Sequence, residues 1–185
     1  RKAVWEASKG VGAVVAGETD VGLQPAFMLA RLLGTGALDT AFGRDGGVTR
    51  TDVSPGADVG LAIARRSDGA LVVAGRAADG AQNDWGVARY GGGGNPDVTF
   101  AGDGSTVIRL SDASEEATDV IADGPRLIVV GRARLSGTLD LAVARLKGGG
   151  ALDTTFGGGD GIVGIDLAGA GDVAHGVALQ ADGRI

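Results

Sequence analysis

Three arginines each stand eight residues before an aspartate: Arg31 and Asp39, Arg89 and Asp97, Arg145 and Asp153. Guanidinium and carboxylate at that spacing can meet across a turn as a bidentate pair. A ring of arginines could instead hold an anionic ligand. Because the pair recurs with its surroundings, a structural role is expected: it pins the link from one unit to the next. A second acidic series, Asp45, Asp103 and Asp160, lies in the segments RDGG, GDGS and GDGI. Asp-Gly is first of all turn chemistry. Calcium is the one metal these carboxylates could invite, since loop oxygens suit a hard cation. One aspartate per turn supplies too few ligands, so no metal site is assigned.

Catalytic constellations are absent from the sequence. His175 is the sole histidine, which excludes multi-histidine metal sites. It could serve a Ser-His-Asp triad, but no GxSxG segment accompanies it. Glu115 and Glu116 are adjacent carboxylates in a Ser-rich stretch and point to opposite sides of an extended chain. They are expected in a solvated loop rather than as a glycosidase pair. Gly169, Gly171 and Ala174 match a dinucleotide fingerprint, but no helical pattern follows to receive a phosphate. Phe42, Phe100 and Phe156 read as plugs between units, and Trp85 and Tyr90 as packing. Stacking of a sugar on Trp5 or Trp85 is the alternative for the tryptophans. No catalytic residue and no cofactor are expected.

The elements that carry these residues repeat. The three phenylalanines are 58 and 56 residues apart, as are the three arginines and the glycines Gly17, Gly75 and Gly131 that end VVAG, VVAG and VVG. A period of that length is the mark of a repeat architecture. In one unit Gly47–Arg50 reads as a first strand. Val59, Leu61 and Ile63 alternate with small residues as a second, and an Asp68-Gly69 turn follows. Leu71–Ala74 and Trp85–Tyr90 supply the third and fourth. No stretch shows a sustained helical period.

Four short antiparallel strands per unit predict an all-β chain of β-propeller blades, a partial or open ring with about three blades. The expected divisions are a partial blade over 1–35 (its last three strands), full blades over 36–93 and 94–149, and a partial blade over 150–185 (its first two strands). That makes thirteen strands, in groups of three, four, four and two. The segment is expected to be a fragment of a longer chain or an open arc. One hypothesis has strand Ile162–Ile165 of one chain complete the deficient first blade of another, giving a six-bladed dimer.

Composition agrees. Of 185 residues 36 are Gly and only 4% are aromatic, so aliphatic side chains joined by tight turns must make the core. A net charge of −6 argues against nucleic acid as a partner. There is no Cys, which rules out disulfides and thiolate zinc sites, and no apolar run approaches a membrane span.

The run LDTTFG at Leu152–Gly157, preceded by ARL and followed by ADGRI, resembles the delta-60 repeat family. So do ARY at Ala88–Tyr90 and SDGALVVAG at Ser67–Gly75. The likeness covers nearly the whole chain, with departures at Asn95–Phe100 and at Ala26, which stands where Asp84 and Asp140 precede the fourth strand. It implies a bacterial propeller, extracellular or on the cell surface, and implies no reaction. The expected function is therefore a non-enzymatic scaffold or binding module for an unknown protein or carbohydrate ligand. The alternatives are a polysaccharide lyase or glycoside hydrolase whose catalytic residues lie outside this segment, and a surface or matrix protein that self-associates through open blade edges.

Overall fold

The computed structural model describes residues 3–4, 11–19, 24–135, 137–167 and 169–185. Among them are twelve strands and no helix. The first sheet holds β1 (Ala3–Val4), β2 (Val11–Thr19), β3 (Ala26–Leu33) and β4 (Val48–Thr51). The second holds β5 (Asp58–Arg65), β6 (Leu71–Asp79), β7 (Gln82–Tyr90) and β8 (Ser105–Ile108). The third holds β9 (Glu116–Asp123), β10 (Arg126–Ala133), β11 (Asp140–Leu146) and β12 (Ile162–Ile165). Each sheet is a meander in chain order, and every pairing is antiparallel.

Local chemistry accounts for the strands. Alternating Val, Leu and Ala suit a pleated surface. The Asp68-Gly69 turn joins β5 to β6: Gly69 sits at φ +87°, and the Ala70 N–H donates to Asp68 Oδ1 at 3.0 Å. Two of the glycines that close the VVAG-type runs, Gly75 and Gly131, have a different cause. Opposite Gly75 and Gly131 the innermost strand is bulged. A Cβ there would stand 2.0 Å from the Val59 carbonyl oxygen and 1.9 Å from that of Glu116. Only a residue without a side chain lets the strands meet.

The sheets are out of phase with the sequence units. Val48–Thr51, which opens the unit 36–93, hydrogen-bonds to β3 as the outer strand of the first sheet. The chain crosses to the next sheet only afterwards, between Thr51 and Asp58. The four-stranded sheets thus run from Ala3 to Thr51, Asp58 to Ile108 and Glu116 to Ile165. A period fixes repeat length but carries no phase, and the Phe-loop sends the chain back along its own sheet. Two expectations fall with this. Strand Ile162–Ile165 is already paired with β11, so it is not free to complete another chain's blade. The segment 171–180 contains no strand.

Two apolar seams hold the sheets face to face. Val14, Ala16, Phe27, Leu29 and Phe42 pack against Ile63, Leu71, Val73, Ala88 and Tyr90. Val72, Ala74, Trp85, Val87 and Phe100 pack against Val120, Leu127, Val129, Ala144 and Leu146. The middle sheet is therefore covered on both sides, and β7 is buried without interruption from Asp84 to Tyr90. Strand β11 instead alternates buried and half-buried, with one face covered.

Candidate functional site

The residues with the most distinctive chemistry meet at the seams. In each sheet the last long strand carries the arginine, and the loop behind it carries the aspartate and phenylalanine. Arg31, Arg89 and Arg145 donate through Nε to Oδ2 of Asp39, Asp97 and Asp153 at 2.8, 2.8 and 2.9 Å. The contact is a single Nε bond and not a bidentate fork. Of the remaining guanidinium nitrogens, Nη2 of Arg89 and Arg145 donates to the hydroxyls of Thr99 and Thr155. The guanidinium also lies over a ring, 4.7 Å from Phe42, 5.1 Å from Phe100 and 4.8 Å from Phe156.

Two of the arginines reach the neighbouring sheet. Arg31 Nη1 donates to the Gly92 carbonyl at 3.4 Å, and Arg89 Nη1 to that of Gly148. Both acceptors lie in the Gly-rich linker of the following unit. The Thr99 hydroxyl and backbone N–H, with Arg89, hold the Asp97 carboxyl below the ordinary carboxylate range against some desolvation. Thr155 and Arg145 do the same for Asp153. A carboxylate so engaged is a poor general base and a good structural anchor.

A second recurring device escaped the sequence pattern. Asp58, Glu115 and Asp172 are spaced by 57 residues and accept the N–H five residues earlier. The bonds are Val53 to Asp58 at 2.7 Å, Leu110 to Glu115 at 3.0 Å and Leu167 to Asp172 at 2.9 Å. Their own N–H groups donate to Pro25, Asn83 and Leu139 of the preceding sheet. Glu115 is thus no solvated loop residue: it is 1% exposed, its Oε1 has no partner, and burial raises its pKa. The mixture of Asp and Glu hid a spacing that could have revealed the series.

The other singled-out residues stay apart. Asp103 and Asp160 close their turns by accepting the Ser105 and Ile162 N–H groups at 2.9 Å each. Asp45, Asp103 and Asp160 are exposed in three separate loops. Among the described residues the three carboxylates close enough to share a cation are Asp140, Asp166 and Asp172, with oxygens within 4.8 Å. The chain already engages them: Asp140 accepts the Thr138 hydroxyl, Asp166 the Gly169 N–H and Asp172 the Leu167 N–H. In the second sheet the matching pair is an ion pair, Arg109 with Asp84 at 3.2 Å.

Trp85 is fully buried, and its Nε1 donates to the Arg132 carbonyl of the third sheet at 3.1 Å, which removes it as a sugar platform. Trp5 lies outside the described residues. His175 is exposed. Phe42 and Phe100 are fully buried, while Phe156 is half-buried. Among the described residues no helix is long and apolar enough to cross a membrane.

Comparison with curated proteins gives no match. A family described as a β-propeller domain of unknown function, DUF5122, matches residues 14–42, 66–100 and 123–156, together just over half of the chain. Each matched stretch includes a long strand pair and runs to the seam phenylalanine, the parts that make the blade and its staple. With three antiparallel sheets packed face to face in an open arc, the chain belongs to the DUF5122 β-propeller family.

Proposed function

We propose that the chain is a non-enzymatic scaffold or binding module of a bacterial extracellular or surface protein. The observation that carries this is the use made of its distinctive polar groups. Arg31, Arg89, Asp39, Asp97, Asp58 and Glu115 all join strand to loop or sheet to sheet. A catalytic group has to keep its reactive atom open to substrate. Here the seam arginines, their aspartates and Glu115 are engaged by the chain itself, and the loops between them form the surface on offer. Location and source rest on the likeness to delta-60 repeats alone.

The test is a panel of bacterial and plant polysaccharides, scored for retention by immobilised protein and for release of reducing or unsaturated ends. The expectation is no product with any polymer. Turnover abolished by a single carboxylate substitution would overturn the scaffold in favour of a lyase or hydrolase.

A further inference from the structure

The chain contains seven Asp-Gly pairs. In such a pair the aspartyl carboxyl carbon and the next amide nitrogen meet with little hindrance, because glycine has no Cβ. Attack of that nitrogen on the carboxyl carbon closes a five-membered succinimide. The step needs a carboxyl free to swing back onto the main chain and an N–H not already given to an acceptor.

The fold withholds both at four of the pairs. Asp68, Asp103, Asp160 and Asp182 each accept the N–H two residues on, at 2.9 to 3.1 Å. Their glycines donate to earlier carbonyls at 2.8 to 3.0 Å. At Asp79 and Asp123 the glycine lies in a two-residue hairpin turn, and an arginine draws the carboxylate away: Arg109 and Arg126, each at 2.8 Å.

The seventh pair, Asp45-Gly46, is open on both counts. Both residues are exposed. Among the described residues the Asp45 carboxylate has no hydrogen-bond or ion-pair partner, and the Gly46 N–H has no acceptor. The loop explains the difference. After each seam phenylalanine one N–H closes the loop on the phenylalanine carbonyl: Gly47 on Phe42, Gly104 on Phe100 and Gly161 on Phe156. Asp103 and Asp160 directly precede that closing glycine. Asp45 stands one residue earlier, so its own successor, Gly46, is left spare. Gly46 sits at φ +60°, and a Cβ there would meet nothing within 4 Å, which leaves room for the ring.

We propose that Asp45 is the site at which this protein isomerises to isoaspartate and so becomes a substrate for isoaspartyl O-methyltransferases. The Gly46 nitrogen bonds to Cγ of Asp45, and the carboxyl hydroxyl leaves with the nitrogen's proton as water. Water then adds to the α-carbonyl of the ring and breaks its bond to nitrogen. The main chain now runs through the former side chain, one methylene longer, and the α-carboxylate is free. That carboxylate takes a methyl group from a sulfonium donor, which departs as a thioether. The change falls between Phe42 and Val48, in the loop whose Gly43 N–H holds Gly93 across the first seam at 2.8 Å.

The folded chain is aged at neutral pH and physiological temperature, and its peptides are mapped by reversed-phase separation with electron-transfer fragmentation, which tells isoaspartate from aspartate at equal mass. Hydrogen bonds or an ion pair have to open before the other pairs react, so isoaspartate at Asp45 should lead each of them by about tenfold or more. In urea, where those bonds are gone, the lead should vanish. Asp45→Glu would have to close a disfavoured six-membered ring. It should unfold like the parent and lose most of the methyl acceptance that the aged parent gains with the enzyme and its sulfonium donor. Equal or earlier accumulation at another Asp-Gly pair of the folded chain overturns the proposal, as does a lead that survives in urea or undiminished methyl acceptance by Asp45→Glu. The scaffold function does not depend on the result.

Discussion

Arg89 Nη1 donates to the carbonyl of Gly148, 59 residues further along the chain and in the next sheet. The same side chain binds Asp97 and Thr99 behind its own strand. One guanidinium thus fastens a strand to its loop and that loop to its neighbour. Arginine suits the task because its donors point in fixed, separate directions.

Replacing Arg89 by Ala should lower stability by about 2 kcal/mol, short of the roughly 3–5 for a fully buried pair because Asp97 is partly exposed. Lysine should not rescue it. Arg145→Ala should cost less, since Arg145 has no described carbonyl partner in a further sheet. Urea melts of the variants read the order directly, and equal losses would refute the inter-sheet role.

Gly131 tests the close approach of β9 and β10. Gly131→Ala places a Cβ 1.9 Å from the Glu116 carbonyl oxygen, so the bulged pair must part. A loss of about 2 kcal/mol or more is expected. Gly149→Ala is the control, because nothing lies within 4 Å of its added carbon. It should melt with the parent chain.

Trp85→Ala should cost about 3–5 kcal/mol by leaving a cavity between the second and third sheets. Trp85→Phe keeps much of the ring but strands the Arg132 carbonyl, a loss of about 1 kcal/mol from the missing bond plus the unfilled volume. Chemical denaturation should rank the two in that order.

Glu115 gives the fold a dependence on pH of known sign. Burial raises its pKa above the ordinary 4.5, so the folded state holds the proton more tightly than the unfolded chain. Its stabilising contribution is complete below pH 4.5 and is lost as pH rises through the higher folded value. Glu115→Gln, which keeps an acceptor for the Leu110 N–H, should abolish that loss and melt above the parent at neutral pH. Asp97 and Asp153 run the other way: their lowered values add stability above 3.8 that disappears as pH falls through the folded values. Melting temperatures of parent and variant from acid to neutral pH would separate these slopes.

The sequence by itself determined the strand class, the repeat of 58 and 56 residues, and the eight-residue spacing that joins Arg89 to Asp97. All of these follow from short-range rules: alternation along a strand, turn residues at fixed places, and a guanidinium that reaches across one loop. Tertiary structure alone decided which sheet owns Val48–Thr51, why Glu115 is buried, and that Arg89 ends on Gly148. Those outcomes depend on which faces meet across a seam. Two strands with the same pattern are equally content on either neighbour until the apolar faces of whole sheets choose between them.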